Sequence, residues 1–237
     1  MKVNCKDVIV ACDFPGRGEF DSFLSRFQGE KPFLKIGMEL FYGEGPDIVR
    51  KAKDMGFSVF LDLKLHDIPN TVKRAMANVA RLGIDMVNVH AAGTRAMMEA
   101  ALEGLTQGAA PGKEIKLIAV TQLTSTSEVA MQKELLIAKP INETVIHYAK
   151  NAKEAGLSGV VCSPLEVRMV HDACGEDFLT VTPGIRYPEG SIDDQARVTT
   201  PQMARELGSD YIVVGRPITA ASDPRAAWQR IKADFLG

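Results

Sequence analysis

The chain has 237 residues with 28 basic and 30 acidic side chains, which gives a formal net charge of −2, and 46% of its residues are hydrophobic. These values are typical of one large globular domain. The balanced charge argues against a nucleic-acid partner, and the longest apolar runs are far shorter than the ~18 residues of a transmembrane helix, which argues against a membrane partner.

The beginning of the sequence and the cysteines predict a cytoplasmic protein. Residues 1–13 contain neither a long apolar segment nor a small-residue cleavage site, so we expect no secretory signal. The four cysteines form no C-x-x-C pair and fit no zinc-ribbon spacing, which favours free thiols in a reducing compartment. They are Cys5, Cys12, Cys162 and Cys174.

Eight short apolar runs recur along the chain, each rich in β-branched residues. Most are continuously hydrophobic rather than alternating, which is typical of parallel strands that are buried on both faces. The predicted strands cover 7–13, 32–38, 58–64, 85–91, 115–121, 159–164, 178–184 and 210–216.

Amphipathic segments of helical length separate these runs. In the third of them, Pro69 stands near the predicted start and Gly83 just beyond the end, positions at which these residues favour helix boundaries. The predicted helices cover 21–28, 45–55, 69–82, 94–105, 142–155, 164–173, 201–207 and 224–235.

Eight alternating strands and helices predict a (β/α)8 barrel, a TIM barrel formed by a single domain over residues 1–237. A doubly wound open sheet is the alternative, but no G-x-G-x-x-G motif follows the first strand. The longest break in the pattern, 121–139, follows the fifth strand and is a candidate lid on the catalytic face.

Charged residues lie at or near the ends of the second and third predicted strands, where TIM-barrel enzymes carry their catalytic residues. Asp62 and Lys64 are two positions apart and so leave one face of a strand, Asp67 lies at the turn into the next helix, and Lys35 ends the preceding strand. Two lysines and two aspartates on adjacent strands can pair as an alternating array, in which the carboxylates favour the ammonium form of Lys64. Ordinary salt bridges at the rim are the alternative, although stability alone rarely needs four partly desolvated charges.

The segment Asp62-Leu63-Lys64-Leu65-His66-Asp67-Ile68-Pro69-Asn70-Thr71 resembles the D-x-K-x-x-D-I-P-N-T motif of the orotidine 5′-monophosphate decarboxylase family. Members of the wider superfamily share D-x-K-x-x-D, and the I-P-N-T continuation makes the resemblance specific. It extends from Val8 to about Pro224 through further matching segments, namely LKIG around Lys35, VTQLTS (120–125), TPGIR (182–186), DQARV (194–198) and VVGRPIT (213–219).

This resemblance implies an enzyme that converts orotidine 5′-monophosphate to UMP without a metal or other cofactor, working as a homodimer. It implies a catalytic array of Lys35, Asp62, Lys64 and Asp67, with Lys64 as the proton donor and Asp67 reaching the partner's site. It also implies that Asp13 and Lys35 contact the ribose, that Thr124 contacts the pyrimidine, and that the phosphate ligands are Arg186, Gln195, Gly215 and Arg216. Ile68 and Thr71 complete the substrate-binding residues that it implies.

The phosphate assignment also agrees with the general behaviour of barrels, which bind phosphate at the loops after strands seven and eight. Gly215 lets the backbone approach a ligand, and Arg216 offers a bidentate charged contact. We expect the segment 183–197, with a candidate hinge at Gly190 and Ser191, to be a lid over the phosphate.

Two other functions stay open at this point. A metal-dependent sugar-phosphate decarboxylase or aldolase of the same superfamily can use the same frame, with Asp62 and a nearby acid holding Mg²⁺. A non-catalytic nucleotide-binding barrel is the other, although the loss of catalysis would be expected to damage the charged array first.

Overall fold

A computed structural model describes residues 6–187 and 199–237. Within them, eight parallel strands pair in sequence order, and the eighth pairs with the first to close a barrel. The predicted (β/α)8 barrel is confirmed. The strands are β1 (Asp7–Ala11), β2 (Phe33–Gly37), β3 (Ser58–Leu65), β4 (Met86–His90), β5 (Lys116–Val120), β6 (Gly159–Val161), β7 (Leu179–Thr182) and β8 (Tyr211–Val214).

The helices surround the barrel. In the described ranges, every helix is too short or too polar to cross a membrane. The helices are α1 (Arg17–Ser25), α2 (Met38–Glu44), α3 (Asp47–Asp54), α4 (Pro69–Ala80), α5 (Thr94–Gly108), α6 (Glu128–Glu134), α7 (Ile141–Glu154), α8 (Val167–Cys174), α9 (Pro201–Leu207), α10 (Arg216–Thr219) and α11 (Pro224–Leu236).

The strands are almost continuously hydrophobic in sequence because they contact two apolar cores, one on each face. Alternate side chains of each strand point into the barrel, and the others pack under the helices. The larger core lies between the strands and the helices. The smaller one fills the lower barrel with Ile9, Phe33, Phe60, Met86, Ile118, Val181 and Tyr211.

The structure adds three short helices that the sequence pattern did not predict: α2, α6 and α10. Each has four to seven residues, which is too short to show a helical period. Helix α6 lies inside the predicted break 121–139. The Ser127 hydroxyl caps it by accepting a hydrogen bond from the Ala130 N–H at 3.1 Å, and Met131 anchors it in the core. The part of this break that lies over the barrel mouth is therefore 122–125.

Asp85 ties together the face of the barrel opposite the catalytic end. Its carboxylate pairs with Lys53 and Lys113 and accepts a hydrogen bond from the Val59 N–H at 2.8 Å. Burial alone would raise the pKa of Asp85, but the hydrogen bonds from Lys113, Lys53 and Val59 outweigh it and lower the pKa below its ordinary value.

We expect Asp85→Ala to lower the free energy of unfolding at pH 7 by about 2 kcal/mol, because charge-assisted hydrogen bonds are lost. Since the folded-state pKa is lowered, this contribution is present above the unfolded value of about 3.9 and disappears as pH falls through the folded value. Urea unfolding at several pH values measures it. Asp47→Ala, which removes an exposed pair with Arg50, is the control and should cost at most about 0.5 kcal/mol. An Asp85→Ala loss that is undiminished at low pH would contradict the assignment.

Candidate active site

Register brings the predicted charged residues to one end of the barrel. Lys35 pairs with Ala11 of β1 and Phe60 of β3, and Gly37 pairs with Asp62. Because inward-facing positions recur every second residue, Lys35 and Asp62 both point into the mouth. Asp13 follows β1 by two residues and faces the same space.

Four charged side chains form a continuous alternating row across β1, β2 and β3. Lys35 Nζ lies 3.0 Å from Asp13 Oδ1 and 3.3 Å from Asp62 Oδ2. Lys64 Nζ lies 2.7 Å from Asp62 Oδ1. The side chains of Lys35 and Asp62 are each only 11% exposed, whereas that of Asp13 is 53% exposed. The row therefore runs from solvent into the barrel with opposite charges in contact.

Electrostatics keeps the buried members of this row ionised. Burial alone favours the neutral form of Lys35, but the carboxylates of Asp62 and Asp13 outweigh it and raise the pKa of Lys35. Burial likewise opposes ionisation of Asp62, yet the two ammonium groups and the hydrogen bonds from Lys64 and Asn88 lower the pKa of Asp62. Lys35 and Asp62 are therefore both ionised at neutral pH.

Because Gly37 has no side chain, the charged row has room to pack against its backbone. A Cβ atom at this position would lie 3.1 Å from Asp13 Oδ1 and 3.2 Å from Lys35 Nζ, tighter than ordinary van der Waals contact. A larger residue would therefore press on the Asp13–Lys35 pair.

The backbone of β3 is irregular where it carries Asp62 and Lys64. Leu61 pairs with Val87 and Leu65 with Val89, so four steps on β3 oppose two on β4 and two residues are extra. Lys64 takes a φ of 51°, in the left-handed region that is uncommon for side-chain-bearing residues. Asp62 and Lys64 both line the cavity from this irregular stretch.

A cavity of about 600 Å³ opens above the charged row. The charged residues and the loops after β5, β7 and β8 form its wall. From those loops it includes the predicted substrate-binding residues Thr124, Arg186, Gly215 and Arg216. These residues are far apart in the chain, and the barrel brings them together with Asp13, Lys35, Asp62 and Lys64.

The described residues on either side of 188–198 are hydrogen-bonded to each other. Ile185 and Thr199 form a parallel β-bridge, and the Arg186 N–H donates to the Thr199 carbonyl at 3.0 Å. Gln195 and the candidate hinge at Gly190 and Ser191 lie outside the described residues. The predicted lid therefore stays a prediction over most of its length.

Asp67, Ile68 and Thr71 do not join the cavity of their own chain. All three are exposed at the start of α4, and Ile68 is 67% exposed. The Asp67 carboxylate accepts a hydrogen bond from the Ile68 N–H at 2.6 Å, and in this chain the row ends at Lys64. Within one chain the row therefore comprises Asp13, Lys35, Asp62 and Lys64, and the predicted place of Asp67 in the partner's site stays a prediction.

A family model described as orotidine 5′-phosphate decarboxylase / HUMPS family matches residues 6–231. The chain belongs to this family. A curated relative from Bacillus cytotoxicus, named orotidine 5′-phosphate decarboxylase, is 59% identical over 233 residues, which cover 98% of each chain. One of the same name from Bacillus mycoides is 58% identical with the same coverage.

Solved structures agree with the family assignment. The chain is similar to orotidine 5′-phosphate decarboxylase from Lactobacillus acidophilus at 46% identity and a TM-score of 0.89, covering 98% of this chain and 100% of the other. The enzyme of that name from Pyrococcus horikoshii is 25% identical with a TM-score of 0.76, covering 97% and 99%. The resemblance seen in the sequence is confirmed.

Sequence reasoning missed part of the site in this orotidine 5′-phosphate decarboxylase family member. Asn88 is 1% exposed and donates from Nδ2 to Asp62 Oδ1 at 2.6 Å. A lone amide inside the apolar run 85–91 was the available signal, since buried polar groups need partners. The apolar residues of the cavity could not be distinguished in the sequence from ordinary core residues. They include Phe60, Val120, Val161, Val181 and Val213.

No group of three His, Cys, Asp or Glu side chains among residues 6–187 and 199–237 is arranged to hold a metal ion. Asp62 would be a Mg²⁺ ligand if the chain were a metal-dependent sugar-phosphate enzyme. Its two carboxylate oxygens instead contact Lys35, Lys64 and Asn88.

Proposed function

We propose that this chain removes CO₂ from orotidine 5′-monophosphate to give UMP, the last step of de novo UMP synthesis, and that it does so in the cytoplasm. The observation that carries the proposal is the row of Asp13, Lys35, Asp62 and Lys64 beneath a cavity of nucleotide size. Family membership and the names of the curated relatives support it. Free, buried thiols at Cys12, Cys162 and Cys174 agree with a reducing compartment.

The chemical problem is a carbanion that the pyrimidine ring does not delocalise well. When the bond from C6 to the carboxylate breaks, CO₂ leaves and the electron pair stays on C6. The Lys64 ammonium stabilises that negative charge and then transfers a proton to C6, so that UMP and a neutral amine are formed. Solvent returns the proton to Lys64 before the next turnover.

Asp62 and Lys35 hold Lys64 ready for this step. Asp62 lies 2.7 Å from Lys64 and 3.3 Å from Lys35, so its carboxylate fixes the ammonium group at the cavity wall. Because these charges are already oriented in the folded protein, little reorganisation is needed when the negative charge develops. Such preorganised electrostatics supplies the stabilisation that many other decarboxylases obtain from a cofactor.

The remainder of the nucleotide extends across the cavity towards the loops after β5, β7 and β8. Asp13 and Lys35 contact the ribose hydroxyls, and Thr124 contacts the pyrimidine. The phosphate ligands are Arg186, Gln195, Gly215 and Arg216. Three of these four, Arg186, Gly215 and Arg216, line the described cavity. Binding energy from the remote phosphate helps to orient the pyrimidine over Lys64.

The direct test is to incubate purified protein with orotidine 5′-monophosphate and to identify the products. Equal amounts of UMP and CO₂ support the proposal. The same preparation is offered a sugar phosphate with Mg²⁺. Turnover of that substrate without conversion of orotidine 5′-monophosphate would assign the chain to the metal-dependent branch of the superfamily.

We also propose that two copies of this chain form a homodimer in which the start of α4 completes the partner's site. Asp67, Ile68 and Thr71 have substrate-related roles in the family pattern but lie outside the cavity of their own chain. A large apolar side chain that is 67% exposed, as Ile68 is, favours a contact with another surface. In such a dimer, Asp67 extends the partner's charged row beyond Lys64.

A subunit-mixing experiment tests this arrangement. Lys64→Ala and Asp67→Ala should each be nearly inactive, but a mixed dimer contains one site with both residues intact. Equal mixing after subunit exchange should restore about a quarter of wild-type activity, since half of randomly formed dimers are mixed. Activity that stays at the mean of the two variants would contradict the shared site, as would a monomer in sedimentation analysis.

A further inference from the structure

Asn88 occupies the one place where the ladder between β3 and β4 is interrupted. Its neighbours Val87 and Val89 pair with Leu61 and Leu65, and the irregular stretch 62–64 lies opposite Asn88 itself. The side chain is 1% exposed, so both of its polar ends require partners inside the protein.

Both ends of this amide bind the catalytic strand. Oδ1 accepts a hydrogen bond from the backbone N–H of Lys64 at 2.8 Å, and Nδ2 donates to Asp62 Oδ1 at 2.6 Å. The partners fix the orientation of the amide, because a backbone N–H needs an acceptor and a carboxylate needs a donor. The side chain therefore replaces the strand partner that the irregular backbone of Lys64 lacks.

We propose that Asn88 is a positioning residue for decarboxylation, which holds the left-handed backbone of Lys64 and the carboxylate of Asp62 in one fixed geometry. This inference rests on the proposed function. Asp62 Oδ1 receives Lys64 Nζ at 2.7 Å as well as the Asn88 amide, so the three groups form a closed ring of contacts. Asn88 thus restrains Lys64 at its backbone and, through Asp62, at its ammonium group.

Few other side chains at position 88 can bind both the Lys64 backbone and the Asp62 carboxylate. Aspartate offers two acceptors and places a second negative charge beside Asp62, leucine fills a similar volume without a polar atom, and serine is too short to bridge both partners. Lys64 at a φ of 51° is in a conformation that costs about 1 kcal/mol or more, so it needs support from its surroundings.

The test uses Asn88→Leu and Asn88→Ser, with Thr180→Val as the matched control. Thr180 is also fully buried on a barrel strand, and its hydroxyl donates to Asp210 Oδ2 at 2.9 Å and accepts from the Asp210 N–H at 3.2 Å. It does not line the cavity. It therefore reports the effect of losing two buried hydrogen bonds away from the chemistry.

We expect both Asn88 variants to lower kcat by on the order of 100-fold, because a displacement of about 1 Å at the reacting group has that effect. Their affinity for UMP, measured by calorimetry, should stay within about threefold of wild type, whereas Thr180→Val should lose thermal stability but keep kcat within about threefold. Unchanged kcat in the Asn88 variants would overturn the proposal. So would a joint loss of stability, UMP affinity and kcat, including failure of both variants to fold, since Asn88 would then act on the fold.

A crystal structure of the variant provides a readout that does not depend on turnover. We expect Lys64 to leave its left-handed conformation or its ammonium group to move away from Asp62. A variant in which both features are unchanged would overturn the positioning role even if the wild type is active. A wild type that does not act on orotidine 5′-monophosphate would instead refute the proposed function.

Discussion

Lys64→Ala should reduce kcat by about 10⁵-fold while leaving UMP affinity nearly unchanged. The lysine supplies both proton transfer, worth about 10²–10⁴-fold, and stabilisation of the developing negative charge, worth about 10²–10³-fold. Product binding is largely retained because the ribose and phosphate contacts come from other residues. Asp62 keeps Lys35 as a partner at 3.3 Å, so its carboxylate is not left unpaired in the barrel.

Single-turnover kinetics with calorimetric titration of UMP separates these effects. Lys73→Ala is the matched control, since Lys73 lies on α4 and pairs with Glu103 away from the cavity. This variant should retain wild-type kcat and UMP affinity. Turnover by Lys64→Ala within tenfold of wild type would remove Lys64 from the role of proton donor.

Arg216→Ala should weaken substrate binding by about 1,000-fold, because two charge-assisted hydrogen bonds to phosphate contribute about 1.5–3 kcal/mol each. Gly215 and Arg216 directly follow β8 and line the cavity, at the end of the barrel where phosphate is commonly bound. The fold itself should be little affected.

Comparing UMP with uridine shows whether the loss concerns the phosphate. Arg216→Ala should weaken the binding of UMP but leave the weaker binding of uridine unchanged, since uridine lacks the charged group. Arg50→Ala, which removes an exposed arginine on α3, should affect neither ligand. Equal losses for UMP and uridine would show that Arg216 acts on the site as a whole.

The barrel was predictable because its strands are buried on both faces. Runs such as 7–13 and 210–216 are continuously apolar and β-branched, and the structure places β1 and β8 inside them. Helix α1 begins at Arg17, four residues before the predicted start. The sequence pattern missed these four residues because only one of them, Phe20, is buried, so they show little hydrophobic periodicity. Boundaries and helices of one or two turns depend on local caps and single tertiary contacts, which hydrophobic periodicity does not record.

The charged part of the site was predictable for a different reason. Burying the charges of Asp62 and Lys64 in a strand costs free energy, so their presence there indicated a functional site. Because the active site of a barrel lies at the C-terminal ends of its strands, Lys35 was expected beside them. The contribution of Asn88 depends on the register shift opposite 62–64 and on the left-handed backbone of Lys64, which appear only in three dimensions. The outward position of Asp67 likewise follows from the path of the chain after β3.

The most direct measurement is the loss of orotidine 5′-monophosphate absorbance with protein that has been dialysed against excess chelator, with no cofactor added. Rapid turnover that Mg²⁺ does not increase is the result expected if Lys64 and its paired charges perform the reaction alone. Absence of turnover until Mg²⁺ is restored would contradict the electrostatic mechanism and would make a metal ion part of the site.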